Sequence, residues 1–123
     1  MAKLLIVEDD RILTDAYKIK FGEKYDLKIC PDGESALKVI KSWDPDLVLL
    51  DLYLQNIMNG VEVLREIKDD YKTKKIPVIV ITNLPDMDDK VMNLGAYRCL
   101  MKSDVDLNKI EKLLEEMQEK NEK

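Results

Sequence analysis

Four acidic side chains, one threonine and one lysine could do chemistry together in this sequence: Glu8, Asp9, Asp10, Asp51, Thr82 and Lys102. Glu8-Asp9-Asp10 follow the apolar run Lys3 to Val7, and Asp51 closes Leu47 to Leu50. Thr82 and Asn83 close the run from Pro77, and Lys102 closes Tyr97 to Met101. Solvated loop acids and helix caps account for any one of these residues. They account poorly for two apolar strands that both end in acid. If the first and third strands are neighbours, Glu8 or Asp9 lies near Asp51, and carboxylates ~4 Å apart repel by about 4 kcal/mol at an effective dielectric of 20. Such a cluster calls for a cation. Oxygen ligands select Mg²⁺ or Mn²⁺, and the lack of histidine and of suitably paired cysteines disfavours zinc. With Lys102 as a fixed positive charge and Thr82 as a hydroxyl donor, these are the parts that phosphoryl transfer to an aspartate requires.

Strands and helices must alternate to bring those residues together. Lys3 to Val7, Leu27 to Cys30, Leu47 to Asp51, Pro77 to Thr82 and Tyr97 to Met101 read as strands buried in a sheet. Between them the spacing predicts helices. The first carries Ile12, Ala16 and Ile19 with Leu13 alongside and ends near Gly22. The second turns Ala36, Leu37 and Ile40 inward behind an Asp32 cap, and the third turns Val61, Leu64 and Ile67 inward behind Asn59. A short fourth helix with Met87, Val91 and Leu94 ends at Gly95. A fifth, capped by Ser103 with Asp106, turns Leu107, Ile110, Leu113, Leu114 and Met117 inward. Five strand–helix repeats with short links predict an α/β fold with an open, doubly wound, five-stranded parallel sheet. Ligands of such sheets bind at the carboxyl ends of the strands.

Composition bounds the chemistry further. The chain has 123 residues, 46% apolar and 37% charged, the balance of one ordinary globular domain. The absence of histidine excludes Ser-His and Cys-His nucleophile pairs, histidine metal ligands and a phosphohistidine on this chain. A net charge of −5 makes nucleic acid a poor partner. Apolar runs far shorter than the ~20 residues of a membrane span, and no signal-like N-terminus, predict a cytoplasmic protein without a membrane partner. Cys30 and Cys99 read as small buried hydrophobes in a reducing compartment. Trp43 and Phe21 signal no more than local packing.

The sequence resembles the receiver domain of two-component response regulators, of the chemotaxis-regulator kind. Glu8-Asp9, Asp51, Thr82 and Lys102 carry the resemblance in order, with Asn59-Gly60 and Gly95-Ala96 in support. It extends from about Lys3 to Met117 within a single receiver domain of residues 1–123, whose charged tail 118–123 frays. The resemblance implies a flavodoxin-like (βα)5 sheet of strand order 2-1-3-4-5. It makes Asp51 the phosphoacceptor and a histidine kinase or histidine phosphotransfer protein the donor. Asp9, Asp51 and the backbone carbonyl of Tyr53 would bind Mg²⁺ directly, with Glu8 acting through water, while Thr82 and Lys102 hold the phosphoryl oxygens. The domain would catalyse only its own phosphorylation and slow dephosphorylation, and its output would be altered contact with a downstream protein.

Four positions depart from the family pattern. Gln55 stands where the family usually has proline, in a loop one residue longer than usual. Asn83 follows Thr82 where a small residue is normal, positioned to crowd a phosphoryl group or to donate a hydrogen bond to it. Ser103 follows Lys102 where the family has a cis-proline, which predicts a trans bond or a strained cis one. Cys99 replaces the aromatic residue that couples Thr82 movement to the partner surface. Tyr97, two residues earlier and so on the same strand face, is the candidate substitute switch. Two further readings share the sequence: a docking pseudo-receiver that is never phosphorylated, and an Asp-nucleophile phosphatase, disfavoured because Asp51-Leu52-Tyr53 lacks a second aspartate.

Overall fold

The computed structural model describes residues 1–54, 59–104 and 106–121. Strands β1 (Lys3–Val7), β2 (Asp26–Cys30), β3 (Leu47–Asp51), β4 (Val78–Thr82) and β5 (Arg98–Met101) alternate with five helices. These are α1 (Arg11–Phe21), α2 (Gly33–Trp43), α3 (Gly60–Asp69), α4 (Asp88–Leu94) and α5 (Leu107–Asn121). All strand pairs are parallel, in the order β2-β1-β3-β4-β5. The expected architecture is the observed one.

Alternation along the strands divides the apolar side chains between two cores. Leu5, Val7, Val48, Leu50, Val78 and Val80 face α2, α3 and α4, joined by Ala36, Ile40, Leu64, Ile67 and Val91. Leu4, Ile6, Leu47, Leu49, Ile79 and Ile81 face α1 and α5, joined by Tyr17, Phe21, Ile110, Leu114 and Met117. β1, β3 and β4 are buried almost throughout because helices cover both of their faces.

Helix ends largely follow the sequence. Asp10 Oδ1 accepts from Ile12 and Leu13 N–H, Asp32 from Ser35, and Asn59 from Glu62. Gly95 takes φ 109°, the left-handed position a C-terminal glycine supplies. α5 differs: Asp106 alone caps it through Lys109 N–H, while Ser103 lies outside the helix and bonds elsewhere. α5 also continues through Asn121, so most of the segment expected to fray is helical. In α3 the inward residues are Val63, Leu64 and Ile67, and Val61 is only half-buried.

The first helix corrects the sequence reading most. Ile12 and Ile19 are 84% and 86% exposed, and Thr14, Tyr17 and Phe21 are buried instead. Apolar residues on two sides of α1 offered two frames. The chosen one stacks Tyr17 on Phe21, with centroids 6.1 Å apart, and sets Tyr25 edge-on to Phe21 at 6.0 Å. Aromatic rings bury more area than isoleucines and gain from edge and offset contacts, so they set the frame. Phe21 is thus a core residue, and Trp43 is half-buried beneath the Lys3 and Lys28 ammoniums. In urea unfolding, Phe21→Ala is expected to cost about 3–5 kcal/mol, whereas Ile19→Ser shifts stability by about 0.5 kcal/mol at most. The reverse order would show that α1 packs through its isoleucine face.

Candidate functional site

The period of two along a strand decides which end residues meet. Val7 pairs with Leu50, so the next step along both strands brings Glu8 level with Asp51. Asp51 follows Leu47 and Leu49 onto the α1/α5 face, and Lys102 follows Leu100 there. Thr82 follows Val78 and Val80 and turns the opposite way.

Lys102 Nζ lies 2.9 Å from Glu8 Oε1 and 3.1 Å from Asp51 Oδ2. The two acids are nearly buried, at 3% and 5% side-chain exposure, against 21% for the lysine. Burial pushes the Glu8 carboxyl up to about 7, opposed by hydrogen bonds from Lys102 and the Asp10 N–H and reinforced by the Asp51 charge. Burial alone would lower the Lys102 ammonium, but its bonds to Glu8 and Asp51 outweigh that and hold it above its ordinary value. One oxygen from each of Glu8, Asp9 and Asp51 lies within 4.8 Å of the others. Among the described residues, Asp9 Oδ2 is the buried side-chain polar atom left without a hydrogen-bond partner. An orphaned carboxylate oxygen in an all-oxygen cluster fits a hard divalent cation. Both acids named beside Asp51 in the sequence therefore reach it: Glu8 shares the lysine with Asp51, and Asp9 carries the unsatisfied oxygen.

These groups open into a crevice of about 550 Å³ lined by Asp9, Asp10, Asp51, Tyr53, Asn83, Leu84 and Lys102. Tyr53 N–H donates to Asp51 Oδ1 at 3.1 Å, fixing the carboxylate, while the Tyr53 side chain is 63% exposed at the rim. Thr82 Oγ1 accepts from Leu84 N–H at 3.0 Å, which leaves its own proton free to be donated. The Lys102–Ser103 peptide is trans, no cis bond occurring among the described residues. The sequence marks Gly60 only as support for the resemblance, and Leu84 carries no sequence signal. The Gly60 N–H donates to Leu52 O at 3.0 Å, and an added Cβ there would stand 2.4 Å from the Asp51 carbonyl oxygen. The signal available was its place beside the Asn59 cap. Gln55 lies outside the described residues.

Tyr97 does not share the face of Cys99. It precedes β5, and its N–H donates to Val78 O. Its ring joins the α1/α5 core, where its hydroxyl donates to Glu116 at 2.8 Å beside Arg98 and Lys120. Cys99 packs in the opposite core, next to Val80 and on the side to which Thr82 turns. Strand alternation was applied one residue beyond the strand, where it no longer holds. Tyr97 and Cys99 therefore lie on opposite faces of the sheet, not on the shared face that the strand spacing predicts.

The chain matches the response regulator receiver domain family over residues 4–115. It is 37% identical over 103 residues to the DNA-binding response regulator MtrA of Mycobacterium tuberculosis, covering 81% of this chain and 43% of MtrA. The chain thus spans less than half the length of that relative. The Mn²⁺-bound form of response regulator Rcp1 aligns with a TM-score of 0.77 at 26% identity, covering 96% of this chain and 92% of the other. The phosphorylated cyanobacterial phytochrome response regulator RcpA aligns with a TM-score of 0.76 at 26% identity, covering 96% and 91%.

Two measurements test this geometry. Gly60→Ala is expected to lose about 1–3 kcal/mol in denaturant unfolding, because its methyl group must displace backbone rather than a side chain; an unchanged midpoint would show that the loop gives way freely. Burial, with the Asp88 charge in addition, pushes the Cys99 thiol up to about 11. Its iodoacetamide reaction at pH 8 is then roughly a hundredfold slower than that of a thiol titrating near 9, and accelerates as pH rises. Alkylation at the ordinary rate would contradict its packing.

Proposed function

We infer, from the premise that the chain belongs to the response regulator receiver family, that Asp51 accepts a phosphoryl group from a phosphohistidine on a partner protein. The observation that carries this reading is the pairing of Asp51 with the Lys102 ammonium at 3.1 Å in a crevice walled by two further carboxylates. An Asp51 Oδ attacks phosphorus, forming the P–O bond as the P–N bond breaks. The electron pair of that bond stays on the departing imidazole nitrogen. Lys102 and the Thr82 hydroxyl receive the phosphoryl oxygens, Lys102 by loosening its grip on the two acids.

Asp9, Asp51 and the Tyr53 carbonyl would hold Mg²⁺ or Mn²⁺, with Glu8 reached through a water, and the ion supplies positive charge against the phosphoryl oxygens. The orphaned Asp9 oxygen supports this assignment, as does the Mn²⁺ in the form of Rcp1 named above. Family membership makes a histidine kinase or histidine phosphotransfer protein the donor, and these 123 residues contain no histidine that could serve instead. We take residues 1–123 as one receiver domain working in the cytoplasm, whose phosphorylation alters contact with a downstream protein. Among the described residues no helix is long and apolar enough to cross a membrane. DNA binding belongs to MtrA's name; this chain's net charge of −5 argues against nucleic acid as a direct partner of the domain.

Incubation with acetyl phosphate and Mg²⁺, read by intact mass, should add one phosphoryl group to the wild type and none to Asp51→Asn or in excess EDTA. Addition to Asp51→Asn would move the acceptor elsewhere; no addition to the wild type would favour the docking pseudo-receiver. Tyr53, standing at the rim, screens the acyl phosphate from water. Tyr53→Asn should therefore lose phosphate several-fold faster, and an unchanged or slower loss removes Tyr53 from that role.

A further inference from the structure

Beyond the last backbone rung between β4 and β5, where Lys102 N–H donates to Thr82 O at 2.9 Å, the two chains are joined once more. Ser103 N–H donates to the side-chain Oδ1 of Asn83 at 2.9 Å. Asn83 immediately follows Thr82 and Ser103 immediately follows Lys102. We propose that Asn83 is a positioning residue for phosphoryl acceptance, its amide oxygen holding the Ser103 N–H so that the ends of β4 and β5 that carry Thr82 and Lys102 keep a fixed separation beside the crevice. The proposal rests on Asp51 being the phosphoacceptor.

The bond has the features of a built constraint. A backbone N–H needs an acceptor, so the amide orientation is fixed by its partner: Oδ1 must face Ser103 and the NH₂ must be the other end. Asn83 lines the crevice along with Asp51 and Lys102, so its amide is part of the wall that a phosphoryl group would meet. Leu84 N–H bonds back to Thr82 Oγ1, so residues 82 to 84 form a tight unit that the Ser103 bond anchors as a whole. Lys102 is held at its ammonium by two acids. Its backbone is fixed by the Thr82 rung, and the turn that follows is tied back by Asn83. Both ends of the bond are departures from the receiver pattern, and each supplies the other's partner. An alanine at 83 has no side-chain acceptor, and a proline at 103 has no N–H donor.

Placement errors of about 1 Å in groups that stabilise developing charge have large effects on rate. Loss of one such hydrogen bond is expected to slow phosphorylation by acetyl phosphate roughly three- to tenfold, chiefly in the rate at saturating acetyl phosphate. Asn83→Ala and Ser103→Pro each remove one end of the bond, so both should show this loss. The double variant should be no slower than the slower single, because the second change finds nothing left to break. Independent, multiplying effects would overturn the proposal, as would an Asn83→Ala rate equal to wild type. Amide hydrogen exchange at Ser103 in the unphosphorylated protein supplies the second readout and does not depend on Asp51 or on Ser103→Pro folding. Asn83→Ala should deprotect that amide while leaving the β4–β5 amides unchanged. Undiminished protection would show that the bond does not form in solution. Failure of the wild type to take up phosphate would instead count against Asp51 as acceptor, with the exchange result still deciding whether the bond exists.

Discussion

One ammonium group serves two nearly buried carboxylates, and the carboxyl end of the sheet is arranged around that imbalance. Glu8 and Asp51 both bond Lys102, and Asp9 adds a third acid with an oxygen that nothing described satisfies. Removing a single partner from a buried ion pair typically costs roughly 3–5 kcal/mol, because the remaining charge is left in low dielectric. The crevice is therefore held by Lys102 yet stays short of positive charge. Its three clustered carboxylate oxygens have the chemistry that suits a hard divalent cation. Structural tolerance and chemical use are the same property here.

That imbalance is possible only because the rest of the sheet is apolar and closely packed. Two cores, one on each face, leave β1, β3 and β4 no freedom to slide. A slip of one residue would send Glu8 and Asp51 to the other face of the sheet and Leu50 into the crevice. The Gly60 backbone, set against the Asp51 peptide and bonded to Leu52 O, fixes the start of α3 against the end of β3. Acids that repel one another are held together by hydrophobic burial elsewhere.

Much of this was legible in the sequence. Acid at the ends of apolar runs located the crevice, and the repeat of strand and helix gave the sheet that positions it. What was misread has a physical cause in each case. α1 offered apolar residues on more than one side, and only the packing of Tyr17, Phe21 and Tyr25 against one another chose between frames. Tyr97 was assigned a strand face although the strand starts at Arg98. Ser103 was read as a cap from its side chain, whereas its backbone N–H makes the contact that matters. For Tyr97 and Ser103, type and spacing misled because partners distant in sequence decide where each residue bonds. Val61 against Val63 in α3 is a milder case, a helix whose stripe is broader than a single row.

The same reasoning separates the two sides of β5. On the α5 side, Tyr97 is tied by its hydroxyl to Glu116, and that carboxylate also lies 3.7 Å from Arg98 and 3.6 Å from Lys120. On the α4 side, Cys99 occupies the position next to Val80, on the face to which Thr82 turns. A cysteine fills less volume than an aromatic ring and has no long side chain to swing. The backbone of β5 is different. Lys102 N–H on Thr82 O and Ser103 N–H on Asn83 Oδ1 join the two loops directly, by bonds that shift when either residue shifts. In this chain, one main-chain bond and one amide side chain link the end of β4 beside the crevice to the end of the edge strand.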